Sequence, residues 1–306
     1  MLKRYVCCVS VAALGVLPWM PVGVHAAEVN GSVNGAAVPG AEETAELEHG
    51  KINTLDASPV DPGHLEIESS YTSTFIQHSW DNDGHSHSRE QARAQILGLA
   101  ATIGVMADVD VAVSGSYLWL EDKQNDFDPA DGVRGPESGH NLGDLNISGR
   151  YRFFASKEHS LEMAYIGGVT VPTGSSSSRN EIGTSQDFWS FNQALVATKD
   201  WGKWTANVDV GYALPFGDNR AQARGMFKAD VAVGYQVLPW LQPEVELNYS
   251  HTLFAKADDQ EVVATTVGLV MPINEHVRVN VGVQQGLWGR NTDKATSLYA
   301  ALKWAF

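Results

Sequence analysis

The sequence predicts an all-β fold, a transmembrane antiparallel up-and-down β-barrel of about 12 strands. Three observations predict it. Apolar and polar residues alternate with a period of two from His64 onward. The connections between these stretches switch between short and mostly longer. The last stretch puts Leu298, Ala300, Leu302, Trp304 and Phe306 on one face.

The first element is a leader. Lys3 and Arg4 precede an apolar run from Tyr5 to about Pro18, and Val24-His25-Ala26 supplies small residues at −3 and −1 of a cleavage point. This is the layout of a secretory signal peptide over residues 1–26. The run is shorter than the ~20 residues that span a bilayer. Cys7 and Cys8, the chain's 2 cysteines, both lie in the leader. The mature chain is therefore expected to hold no disulfide, no thiolate nucleophile and no cysteine-bound metal. Removing the two leader cations takes the formal charge from −15 to −17. That acidity argues against a nucleic-acid partner, whose phosphates attract Lys and Arg. After the leader no stretch approaches 18 consecutive apolar residues, which argues against a helical membrane protein.

Residues 27–61 have no clear period and are mostly Ala, Gly, Val, Glu, Pro and Asn. They read as a flexible periplasmic N-terminal extension, with a small plug inside the barrel as the alternative. The barrel itself is expected over 62–306. Its strands are placed near 62–75, 91–106, 107–121, 143–155, 159–173, 186–199, 201–215, 225–238, 241–254, 260–272, 275–288 and 294–306. Val277-Arg278-Val279-Asn280-Val281-Gly282-Val283-Gln284 is the clearest alternation, and Val245-Glu246-Leu247-Asn248-Tyr249-Ser250 repeats it. Such a period puts the two sets on opposite faces of a strand. Most of these stretches exceed the usual ~5–6 residues of soluble strands and suit a tilted membrane strand of ~9–11 residues with a margin at each end. Short connections fall at 106–108, 156–158, 200–202, 239–240 and 274–275. Mostly longer ones fall at 76–90, 122–142, 174–185, 216–224, 255–259 and 289–293. Bacterial outer-membrane barrels have this asymmetry and even strand numbers.

Hydrocarbon offers no hydrogen-bond partner, so strands enter it only with both edges paired, which closure achieves. The outward row must then be apolar, as in Val109, Val111, Val113, Tyr117 and Trp119, or Val231, Val233, Tyr235 and Val237. Aromatics collect near strand ends as interfacial girdles require: Trp119, Tyr151, Phe153, Trp201, Trp204, Tyr212, Trp240, Trp288 and Trp304. His251 falls on the same outward face.

The opposite face carries the charge. Glu66, Glu68, Asp110, Asp144, Arg150, Arg152, Glu162, Asp209, Lys228, Asp230, Glu244, Glu246, Arg278 and Lys303 are expected to line the lumen. Facing lipid, a charge costs up to about 2–4 kcal/mol near the midplane. Inward, these charges either tune a water-filled path or fill a narrow barrel with ion pairs. The 76–90 stretch offers His78, His85 and His87, with Asp81 and Asp83, as candidate zinc or copper ligands, against the plainer reading of a solvated external loop. Its Asp-Asn-Asp-Gly lacks the later glutamate of a calcium loop. His87 and Ser88 invite a lipid-hydrolase reading, but no orienting partner can be chosen. The expectation is no enzyme and no cofactor.

The terminal aromatics Trp304 and Phe306 resemble the signal read by the barrel assembly machinery of the outer membrane. Three further segments resemble the outer-membrane family named for the meta-pathway of phenol degradation: Gly143-Asp144-Leu145-Asn146-Ile147-Ser148-Gly149-Arg150-Tyr151-Arg152-Phe153, Gly168-Val169-Thr170-Val171-Pro172-Thr173-Gly174 and Tyr212-Ala213-Leu214-Pro215-Phe216-Gly217. The likeness runs over most of 62–306. It implies a porin-like barrel in the Gram-negative outer membrane, contacting outer-membrane lipid and admitting small, often aromatic or hydrophobic, solutes. It carries over no catalytic residue. The rivals are a lipid hydrolase and a sealed structural or adhesive barrel.

Overall fold

The computed structural model describes residues 51–123, 127–128, 133–134, 138–178, 181–217, 223–255 and 257–306. The expected signal peptide and residues 27–50 lie outside them. Fifteen strands follow in chain order: β1 Leu65–Trp80, β2 Ser86–Met106, β3 Val109–Asp122, β4 Phe127–Asp128, β5 Val133–Arg134, β6 Ser138–Leu142, β7 Leu145–Ser156, β8 Leu161–Val171, β9 Trp189–Trp201, β10 Trp204–Phe216, β11 Ala223–Tyr235, β12 Gln242–Phe254, β13 Gln260–Asn274, β14 Val277–Arg290 and β15 Thr292–Ala305. Strands β4 and β5 pair only with each other. The rest form one antiparallel sheet in which strands bond to their sequence neighbours, except that β6 and β7 both pair with β3.

That sheet closes on itself. Strand β1 lies along β15 from Glu66↔Ala305 to Trp80↔Thr292. At the seam the Phe306 N–H donates to the Leu65 carbonyl at 2.8 Å and the Leu65 N–H donates to the Phe306 carbonyl at 3.2 Å. Strands β6 and β7 make a single stave broken at Gly143-Asp144. Strand β3 pairs with β7 over Val109–Ser114 and with β6 over Tyr117–Glu121. The barrel thus has 12 staves and no edge in its circuit.

Burial is inverted relative to a soluble protein along much of the wall, although β2, β8 and β9 also bury apolar residues inside. On β12 Val245 and Leu247 are exposed while Glu244, Glu246 and Asn248 between them are buried. On β10 Val208 and Val210 face out, and Thr205, Asn207 and Asp209 face in. An apolar outer belt with polar groups sealed inside is what a hydrocarbon solvent demands. Aromatics crowd the two rims. Tyr151, Trp201, Trp204, Trp240 and Trp304 stand near the short turns, and Trp119, Trp189, Phe216 and Trp288 stand near the other ends. No helix of the described residues is long and apolar enough to cross a membrane.

Three boundaries differ from expectation. Strands β1 and β2 continue into 76–90, pairing His78↔Ser88, Ser79↔His87 and Trp80↔Ser86 beyond a register shift at Ile76/His78. Only 81–85 is a turn, because polar strands can pair beyond the membrane as well as inside it. The 289–293 connection shrinks to Asn291, in the left-handed region at φ 50. Asparagine tolerates that conformation through its short polar side chain. The strand expected at 143–155 is the broken stave. A side chain on Gly143 would meet Leu118 Cδ1 at 2.6 Å and Ser116 Oγ at 2.8 Å, so a glycine sits at the break.

Residues 51–60, expected within a flexible extension, lie inside the barrel. Lys51, Ile52, Thr54, Leu55, Asp56, Ala57, Ser58 and Val60 are all buried.

Candidate functional site

The site is the lumen together with this inserted segment. The segment joins β1 through the turn at Gly63 (φ 82), where Pro62 bridges to Gly104. It has no strand partner to pair with along its length, so its backbone is satisfied by side chains of the wall. Glu246 accepts the successive N–H groups of Ile52, Asn53 and Thr54 at 3.0, 2.9 and 3.2 Å. Consecutive amides converging on one anion form a nest. Asp209 accepts the Leu55 N–H at 3.0 Å, Thr198 Oγ1 accepts that of Ala57 at 2.9 Å, and Asp110 accepts that of Val60 at 3.0 Å. Arg150 donates to the Asp56 carboxylate at 3.1 Å and to the Ser58 carbonyl, and Lys51 pairs with Glu244 at 3.4 Å.

Apolar contacts complete the seat. Leu55 and Ala57 pack with Ala164, Ile166, Ala194 and Val196, the inward residues of β8 and β9. Ile52 fills the space left by two inward glycines. A Cβ on Gly268 or Gly282 would stand 2.1 or 2.8 Å from its Cδ1. A Cβ on Gly104 would meet the Asp61 carbonyl at 1.9 Å. The glycines let the segment lie against the wall.

The fourteen charges assigned to the lumen fall into four groups. Glu244, Glu246, Asp209, Asp110 and Arg150 hold the segment. Glu66 pairs with Lys303 at 2.7 Å, Lys228 with Asp230, and Arg152 with Glu162 at 2.9 Å. Glu68 is buried beside Arg278 and Tyr299. Asp144 sits in the break of the β6–β7 stave and accepts the N–H groups of Gly174 and Gln186 at 3.1 and 2.9 Å. It thereby holds the β8–β9 connection against the wall. From that connection Ile182 is buried among Ile76, Ala92, Ala94, Ile96, Leu118 and Leu120. Its N–H donates to the Ser138 carbonyl at 2.9 Å.

The histidines do not assemble as a trio. Ligand atoms of Asp81, Asp83 and His85 lie within 4.8 Å of one another, and His78 is not among them. His87 Nε2 is 2.7 Å from Asp81, whose other oxygen accepts the N–H groups of Asp83 and His85 at 2.9 Å each. The His87 hydrogen bond first, then the His85 amide, hold the Asp81 carboxyl down at about 2. His87 and Ser88 are successive residues of β2 and point to opposite faces, so they cannot act as a nucleophile–base pair. His251 is half-buried on the outer face of β12, 3.6 Å from Asp259.

Sequence reasoning placed the wall and offered a plug only as the alternative for 27–61, without naming the residues that the wall holds. Lys51, Ile52, Asn53 and Leu55 show no periodicity. The available signal was on the partner strands, where inward glycines at 104, 268 and 282 leave room for the segment against the wall.

Comparison with solved structures places the fold. The COG4313 outer membrane channel from Pseudomonas putida F1 aligns with a TM-score of 0.70 at 13% identity, covering 84% of this chain and 100% of that one. The translocator domain of the autotransporter NalP from Neisseria meningitidis gives 0.48 at 9% identity over 80% and 90% of the two chains. A loop-deletion mutant of the outer membrane protein OmpT of Vibrio cholerae gives 0.39 at 12% over 79% and 99%. No curated protein matches the sequence. The family described as "Putative MetA-pathway of phenol degradation" matches over residues 67–304. With 12 staves, an apolar outside and most of its length matched, the chain belongs to that family.

Proposed function

We propose that the chain is a channel of the Gram-negative outer membrane, passing a small solute passively down its gradient, without cofactor or catalysis. In this reading Trp304 and Phe306 are the signal for the assembly machinery, outer-membrane lipid covers the apolar belt, and the short turns face the periplasm. The observation that carries it is the manner in which residues 51–60 occupy the lumen. The wall closes without them. They are held by side-chain acceptors rather than by a ladder. Fixing their backbone costs roughly 1–2 kcal/mol per residue, and hydrogen bonds to charged groups return about 1.5–3 kcal/mol each. With ten residues and some seven such bonds these two contributions are of similar size, and the buried Ile52, Leu55 and Val60 add to the holding side. A segment seated by side chains can leave without breaking a backbone ladder.

The family's name makes aromatic compounds the first solutes to assay. The barrel shared with the Pseudomonas putida channel supports the channel reading by analogy of fold alone. Single-channel recording on the full chain tests it. Glu246→Gln removes the charge that gathers three amides, and mean conductance is expected to rise several-fold. An Ala57→Cys/Thr198→Cys pair should lower conductance when oxidised and restore it on reduction, in a mature chain free of other thiols. Currents equal to those of a protein-free bilayer for wild type, Glu246→Gln and the reduced pair alike would rule the channel out.

A further inference from the structure

Strand β1 ends at Trp80 and β2 begins at Ser86, so residues 81–85 cross the end of the barrel opposite the short turns. Asp81 and Asp83 lie on the way into this turn. His85 and His87 lie on the way out, two residues apart, the spacing that puts side chains on one face of an extended chain. The Asp81 carboxylate is the centre of the group. Its Oδ1 accepts the N–H groups of Asp83 and His85. Its Oδ2 lies 2.7 Å from His87 Nε2 and 3.7 Å from His85 Nδ1. Ligand atoms of Asp81, Asp83 and His85 all stand within 4.8 Å of one another. Two donors bound to one tetrahedral ion at about 2.0–2.1 Å are about 3.4 Å apart. That spacing falls between the closest of these pairs and the limit of the trio.

A separate set of bonds holds the turn still. Arg290 Nε donates to the Asn82 carbonyl at 2.9 Å, and Asn291 Nδ2 donates to Asn82 Oδ1 at 3.2 Å. The Asn291 N–H donates to the Asp81 carbonyl at 3.1 Å. Gly84, at φ 80, lies against Trp288, whose Nε1 an added Cβ would meet at 3.0 Å. None of these contacts uses a side chain of Asp81, Asp83, His85 or His87, so the turn is fixed to β14 and to Asn291 without engaging those donors. Asp81 is half-buried and the other three are exposed. An ion reaches them from water and keeps water on its remaining positions.

We infer that Asp81, Asp83, His85 and His87 bind one late first-row transition-metal ion at this rim, copper(II) ahead of zinc(II). Two imidazoles with two carboxylates are a mixed nitrogen and oxygen set that suits both ions, and copper(II) leads the affinity order for such sets. Calcium takes about 6–8 oxygens and finds too few here. The ion takes the place of the proton on His87 Nε2, and the ring stays neutral with its one proton on Nδ1. His78 lies outside the group. The site is remote from the segment held in the lumen and does not rest on the channel reading.

Titration of the untagged chain in detergent micelles with copper(II) chloride, followed by electron paramagnetic resonance, tests the proposal. One equivalent should bind tightly and show the splitting of two imidazole nitrogens. His85→Ala/His87→Ala should weaken that binding by about 100-fold or more, since losing a supporting partner alone costs about 10–100-fold. His78→Ala should leave it unchanged. Zinc(II) chloride should displace the copper only in large excess, and calcium chloride not at all. Copper affinity equal to wild type in a double variant that still migrates as a folded barrel overturns the site, because the ion is then held elsewhere. If the double variant does not fold, the wild-type spectrum decides. Two imidazole nitrogens support the site, and one or none overturns it. A wild-type chain that takes up no copper overturns it as well.

Discussion

Asp81, which the sequence offers as a candidate metal ligand beside the histidines, also orders its own turn. Its two oxygens are taken by His87 and by the amides of Asp83 and His85, which shape the 81–85 turn. A carboxyl whose folded value is lowered stabilises the fold above its ordinary value and loses that contribution as pH falls through the lowered one. The turn should therefore be tied down above about pH 4 and loosen as pH falls through about 2. His87→Ala removes the largest cause, so the Asp81 carboxyl should titrate closer to the ordinary aspartate range. Carbon-detected NMR titration of the side chain reads this directly. An unmoved value would mean that the two amides suffice. The carboxylates inside the lumen have the opposite history. Their inward placement was legible from alternation alone, since Glu244 and Glu246 flank outward Val245. What they bind was not, because Glu246 serves amides 192 to 194 positions away in a segment without pattern.

At the scale of elements, the two-residue period placed the twelve staves well and their outer ends poorly. The period reports which face meets hydrocarbon, and it fades where both faces meet water. Strands β1 and β2 run on into that zone, and their last pairs hold polar residues that read as loop. The break between β6 and β7 was hidden for another reason. Gly143-Asp144 looks like a strand start, and nothing local says that β6 precedes it on the same stave. Asp144 is the pin of this region, joining the wall to the β8–β9 connection through Gly174 and Gln186. Asp144→Ala leaves two amides without their acceptor, a loss of about 1–3 kcal/mol. Limited proteolysis should then cut within 174–187 faster than in the wild type, with the barrel still migrating as a folded species. Equal cleavage rates would show that Ile182 alone anchors the connection.

The whole molecule is governed by its solvent. Leu247 faces out and its neighbours Glu246 and Asn248 face in. Leu247→Arg should lower the stability of the barrel in bilayers by about 2–4 kcal/mol if it lies near the midplane. The folded fraction after dilution into vesicles, read by heat-modified mobility, measures this. A fraction equal to wild type would place position 247 outside the hydrocarbon. The seam carries a further consequence for assembly. The two staves that meet there, β1 and β15, are the most distant in sequence, so the cylinder cannot be finished until every other stave has been laid down. Until that moment a growing sheet presents two raw margins, each able to template a foreign strand. Contacts of such long sequence separation form slowly. The same hydrogen bonds between Leu65 and Phe306 that make the finished tube so hard to unzip make its last stitch the most hazardous instant of its life.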